Sequence, residues 1–143
     1  MHPELNVAGT YSGAPPADLP KVMKAIDGSS IVHVLGYAIN GFAERDPKFR
    51  DAVLEEFNPR GIDFLRSAAT SCTGDSILMW GFTNTRQLTR TGESLSELVE
   101  RKPIFKETLL RQNQGKHPLK GPAMIASSPH DDLIPHCLLY TSP

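Results

Sequence analysis

The chain has 143 residues, 15 Lys and Arg against 16 Asp and Glu, and 39% hydrophobic residues. That length suits one domain with a core of its own, and a net charge of −1 leaves no basic or acidic footprint for nucleic acid or an anionic membrane surface. No apolar run approaches the roughly 20 residues that span a bilayer, so no transmembrane segment is expected. The two cysteines, Cys72 and Cys137, make neither a disulfide framework nor a metal-ligand spacing. The opening residues Met1-His2-Pro3-Glu4-Leu5-Asn6 lack the basic-then-apolar pattern of a signal peptide.

Residues 5–11 mix apolar and small side chains and predict a short buried strand, ended by Gly13 and the pair Pro15-Pro16. Asp18 is a candidate N-cap for a helix through Ile26, with Leu19, Val22, Met23 and Ile26 at helical spacing. Gly28 supplies the stop. Residues 31–43 then predict a helix apolar on every side and therefore buried. Asp46-Pro47 and Asn58-Pro59 repeat one start signal, a side-chain cap followed by proline at the first helical position. From Ser71 to Gly92 the pattern weakens: Thr73-Gly74-Asp75 reads as a break, before the dense apolar patch 77–82. Ser94 opens a helix to about Glu100, and Pro103 another through Gln112. A polar connector leads to a second strand over 122–127. Two strands alone do not make a stable sheet, so the pattern suggests neighbouring strands of a larger sheet with a helical insertion between them.

The second strand runs into Ser127-Ser128-Pro129-His130-Asp131-Asp132-Leu133-Ile134-Pro135. In an α/β sheet, ligands and catalytic groups sit beyond the carboxyl ends of the strands. An Asp held there can orient a histidine during acyl transfer. The D-x-x-x-P spacing singles out Asp131 over Asp132, although Asp-Asp before a proline is also ordinary turn chemistry. His130 and His136 flank the loop, but their spacing matches no recognised metal-ligand pattern. No metal or cofactor is expected. In α/β-hydrolases the triad runs Ser, Asp, His along the chain. No G-x-S-x-G occurs here, and only eight residues follow Pro135. The nucleophile and the histidine are expected outside this segment.

Four blocks together resemble the secretory lipases of the lipase-A type. They are residues 3–10 running into Gly13-Ala14-Pro15-Pro16-Ala17-Asp18-Leu19; Gly36-Tyr37-Ala38-Ile39-Asn40-Gly41; Cys72-Thr73-Gly74-Asp75 through Gly81-Phe82-Thr83; and the Asp131 loop. The resemblance implies an α/β fold: a fragment of an α/β-hydrolase in which two sheet strands flank a large all-helical lid insertion. Residues 1–16 and 120–136 would belong to the hydrolase core and 17–119 to the lid. Residues 137–143 depart from the family, resemble a translated sequencing adapter, and are expected to be non-native.

The implied activity is that of a secreted triacylglycerol lipase, a Ser-His-Asp carboxylic-ester hydrolase with Asp131 as the triad acid. Its partners would be a lipid or ester substrate and the lipid–water interface, with no nucleic acid. The same resemblance implies that Cys72 forms a disulfide with a partner outside this chain. Gly36 and Gly41 are candidates for lining a narrow passage or allowing lid movement, with close helix packing as the equal reading. Trp80 and Phe82 are candidates for meeting substrate or the lipid surface, with a core role as the competing reading. The apolar helix 31–42 is a candidate for lining an acyl-binding tunnel, with lid core as its plainer reading. Alone, the segment is expected to be inactive. Competing readings are another ester hydrolase or acyltransferase on the same scaffold, and a non-catalytic helical module that binds lipid or a partner.

Overall fold

The computed structural model describes residues 6–113, 121–131, 134 and 136–139. Strand β1 (Thr10–Gly13) leads into helices α1 (Leu19–Ile26), α2 (Val34–Arg45), α3 (Pro47–Glu56), α4 (Pro59–Thr70) and α5 (Thr73–Trp80). A 3-10 turn (Thr85–Gln87) precedes α6 (Leu95–Arg101) and α7 (Pro103–Gln112), and strand β2 (Ala123–Ala126) follows. A last 3-10 turn covers His136–Leu139. The two strands pair in parallel, Thr10 opposite Ala123 and Gly13 opposite Ala126. They are neighbours in one two-stranded sheet.

The helix starts obey local chemistry. Asp46 Oδ1 accepts from the Lys48 and Phe49 N–H groups at 3.0 and 3.3 Å. Asn58 Oδ1 accepts from the Gly61 N–H at 2.9 Å, and Asp18 Oδ1 from that of Lys21 at 3.2 Å. Ser94 and Glu97 form a reciprocal capping box at α6. Proline opens α3, α4 and α7, where its missing N–H costs nothing. Each such cap contributes about 1 kcal/mol.

The core is built almost wholly from helices. α2 crosses α4, α1 packs on α6 and α7, and α3 meets α7. Phe57, Phe64, Leu88 and Leu98 are essentially inaccessible. At the α2–α4 crossing a Cβ on Gly36 would lie 2.8 Å from Ala68 Cβ and 3.0 Å from Phe64 Cε1, so glycine permits the close approach. His33 is buried at 1% exposure, its ring edge-on to Tyr37. Neither ring nitrogen has a hydrogen-bond partner among the described residues, and neither has Trp80 Nε1.

Glu56 is the buried charge of this core. Its carboxylate receives Arg101 Nη2 and Lys102 Nζ, each at 2.7 Å. The Arg101 hydrogen bond outweighs burial and holds the carboxyl below its ordinary value of 4.5. A carboxyl depressed in the folded state stabilises above its unfolded value and loses that contribution as pH falls through the folded value. Urea midpoints are therefore expected to drop as pH is lowered below 4.5. Glu56→Gln should lower the midpoint at pH 7 and flatten part of the acid slope. An unchanged slope in that variant would place the acid sensitivity elsewhere.

Three expectations need correction. The first strand is not a buried element over residues 5–11: β1 begins at Thr10, and Tyr11 is 67% exposed. Residue 5 lies outside the described residues. Met124 and Ile125 on β2 are equally open, because a strand is covered only by what packs on its faces and nothing described here does. The second helix starts at Val34 rather than 31, since residues 28–33 form turns after Gly28 at φ +72°. Only Leu35 and Gly36 of α2 are buried, because part of its apolar surface borders a cavity instead of other side chains. Finally, Thr73-Gly74-Asp75 is no break. It is the first turn of α5, with Asp75 favourably placed at the positive end of the helix.

Candidate functional site: an acid loop beside an apolar cavity

Residues 127–131 leave the carboxyl end of β2 in a tight turn. The Asp131 N–H donates to the Ser128 carbonyl at 3.1 Å, and the His130 N–H to Ser128 Oγ at 3.2 Å. Asp131 Oδ1 accepts the Ile134 N–H at 2.8 Å, so the carboxylate organises its own loop in the manner of an Asx turn. Ser127 Oγ is hydrogen-bonded to His136 Nδ1, which closes the neck of the loop. Asp131 is half-buried, neither solvated freely nor sealed off. Asp132 and Pro135, which framed the choice of acid in the sequence, lie outside the described residues.

Ile134 joins this loop to the helices. Its side chain borders an apolar cavity of about 190 Å³ together with residues of α1, α2, α3, α6 and α7. Leu19, Ile39, Phe42, Leu98 and Leu109 typify its wall, which includes no charged residue. Such a space holds apolar matter and gains little from water, which needs polar partners. A larger open hollow of about 800 Å³ lies between α1 and α6, but its charges are of both signs and mostly paired, Lys21 with Asp18 and Arg86 with Glu97. It presents no single electrostatic field, and apolar side chains such as Pro20, Met23 and Val99 alternate there with charged ones.

The four candidate substrate residues are scattered. Gly36 lies at the α2–α4 crossing, and a Cβ on Gly41 would meet nothing within 4 Å. Trp80 is half-buried, edge-on to Phe64 with the Arg60 guanidinium 5.8 Å over its ring. Phe82 is 74% exposed. None of the four borders the cavity. The residues that do include Ile31, Val34, Leu35, Ala38, Ile39 and Phe42, from the apolar segment expected either to be lid core or to line a tunnel, together with apolar faces of the neighbouring helices. Their 3.6-residue spacing was visible, but which faces would converge without filling the space was not. Cys72 and Cys137 are both exposed, and Cys72 Sγ donates to Asp75 Oδ2 at 3.1 Å. Among the described residues no helix is long and apolar enough to cross a membrane.

Residues 1–139 match a family described as secretory lipase. Among curated proteins, Lipase 6 of Candida albicans is 27% identical over 139 residues, and Lipase 2 of the same organism 25% over 140. Each alignment covers 93% of this chain and 30% of the relative, so the chain spans about a third of the length of its relatives. The crystal structure of Candida antarctica lipase A superposes with a TM-score of 0.72 at 19% identity, covering 94% of this chain and 32% of that one. Its closed state gives 0.75 at 16% identity. The helices and the parallel strand pair thus share the fold of one third of lipase A.

Proposed function

The chain belongs to the secretory lipase family, and on that premise we propose that it is the lid-bearing section of a secreted Ser-His-Asp carboxylic-ester hydrolase acting on triacylglycerols. Asp131 is the triad acid. It holds the catalytic histidine, carried by another part of the longer enzyme, in the tautomer that takes the serine proton, and it stabilises the imidazolium that results. The serine attacks the ester carbonyl, the alcohol leaves with the proton returned by the histidine, and water releases the acid from the acyl-enzyme. The cavity among the helices receives the acyl chain and keeps it from water. One observation carries this reading: Ile134 lines the cavity with its side chain and fixes Asp131 with its N–H. Acid and acyl space are three residues apart.

In the longer enzyme Asp131→Asn is expected to lower kcat by about 10⁴-fold, as loss of the orienting carboxylate does in other triads. The 143-residue chain alone should hydrolyse no ester yet bind a fluorescent medium-chain fatty acid. Ala38→Trp, which blocks the cavity from its exposed rim, should weaken that binding at least about tenfold. Ester hydrolysis by the isolated chain that disappears with Asp131→Asn would overturn the assignment of nucleophile and histidine to other segments. Fatty-acid binding indifferent to Ala38→Trp would remove the cavity from the reading.

A further inference from the structure

The segment 31–42 has two unlike sides. One borders the apolar cavity, through Val34, Ala38 and Phe42 among others. On the other, Asn40 Nδ2 donates to the Leu65 carbonyl at 2.8 Å and Tyr37 Oη to Ser76 Oγ at 3.2 Å. One turn before Tyr37, His33 has no such partner. Its ring is 1% exposed and edge-on to Tyr37, with both nitrogens unpaired among the described residues. The one other buried side-chain polar atom in that condition among the described residues is Trp80 Nε1. Trp80 stands one turn after Ser76 on α5. Beyond it the Phe82 N–H donates to the Ser29 carbonyl, ahead of α2, at 2.9 Å. Residues 29–37 and 76–82 thus run in opposite directions, and His33 and Trp80 lie between the same two ties. The Phe64 ring of α4 backs this space, edge-on to Trp80 at 5.3 Å and 3.0 Å from where a Gly36 Cβ would stand.

We infer that the space between α2 and α5 holds ordered internal water, with at least one molecule bridging Trp80 Nε1 and His33. Unpaired buried polar atoms are rare and costly, and three of them gathered in one place point to a common partner. The donor and acceptor inventory selects water. An indole N–H only donates, and a neutral imidazole brings one donor and one acceptor. A molecule that both accepts and donates completes this set. A cation would face two N–H groups, and an anion would leave the imidazole acceptor unmet. Arg60, whose guanidinium lies 5.8 Å over the Trp80 ring, carries donors alone and cannot serve the indole. Buried waters of this kind make about three hydrogen bonds and are costly to remove. This one belongs to the fold, and is independent of any ester chemistry. It makes α2 a wedge between a dry apolar cavity and a wet polar seam.

A crystal structure of the chain tests this directly. A water oxygen about 2.7–3.2 Å from Trp80 Nε1 and from a His33 ring nitrogen is the expected result. A dry space overturns the inference, and so does a protein atom from outside the described residues at that point. Urea midpoints give an independent readout. His33→Leu, apolar and of similar size, should lower the midpoint by roughly 0.5 M or more, because Trp80 and the water lose a partner. In a dry seam the same change would remove two unpaired nitrogens and raise the midpoint; a raised or unchanged midpoint therefore overturns the inference. Trp80→Phe keeps an aromatic ring but drops the N–H. With the shared water already displaced by His33→Leu, Trp80→Phe should cost less than it does in the wild type. Strictly additive losses would rule out a common water.

Discussion

Gly61→Ala is expected to destabilise the chain by about 3 kcal/mol, at the upper end for overpacking a tight site. A Cβ at this position would stand 2.2 Å from the Leu88 carbonyl oxygen and 2.7 Å from Phe57 Cδ1. The first is backbone and cannot swing aside. It is also fixed from several directions, since the Asn58 N–H donates to that same oxygen at 3.0 Å. Asn58 Nδ2 reaches the Gln87 and Thr89 carbonyls at 3.0 and 2.9 Å, and the Arg90 N–H donates to Glu56. The α3–α4 corner is thus clasped to residues 87–90, and the methyl would force the clasp open. Gly41→Ala is the matched control. It lies inside α2 with open space around it, and should stabilise by about 1 kcal/mol through helix propensity alone. Urea midpoints of the two variants, at unchanged slope, decide the matter. Similar midpoints for both would mean that the clasp at Leu88 yields easily and the corner is soft.

Phe64→Ala should cost about 4 kcal/mol, the transfer term plus the hole left by a ring that the core cannot collapse to fill. Phe64 is inaccessible, stacked edge-on against Trp80 at 5.3 Å on one side and pressed on Gly36 on another. The contact with Gly36 gives the prediction a second edge. Gly36→Ala alone crowds both Phe64 and Ala68, whereas with the ring removed only Ala68 is left to yield. The double variant Gly36→Ala/Phe64→Ala should therefore be more stable than the sum of its single effects, by 0.5 kcal/mol or more in order of magnitude, about the range found for touching residues. Strict additivity would show that α2 and α4 do not meet through these two residues.

The parts of this fold legible in the sequence are those whose cause is local. Asp18, Asp46, Asn58 and Ser94 cap helices because a short polar side chain reaches the free N–H groups one turn on. The position of Asp131 after a strand was legible for the same reason, as a turn residue bonded to its own loop. Illegible were features set by distant segments. Residues 31–43 looked buried because they are apolar, but apolarity does not reveal whether neighbours fill the space or leave a cavity. The α5 segment gave no amphipathic signal, since its apolar residues Leu78 and Met79 face solvent. Likewise Ile134 offered no sign that it borders helices more than twenty residues upstream.

The chain leaves and re-enters its strand pair at adjoining points. Strands β1 and β2 lie side by side, and the Leu19 N–H at the start of α1 donates to Asn113 Oδ1 at the end of α7, across 94 residues, at 3.0 Å. Entry and exit are stitched together. Such an arrangement makes the helical region a cassette: helices can be added, lost or lengthened within it while the strand register, and with it the place of Asp131, stays where it was. Variation among the helices is thereby uncoupled from the strand register, and one strand pair can carry helical regions of different size and make-up.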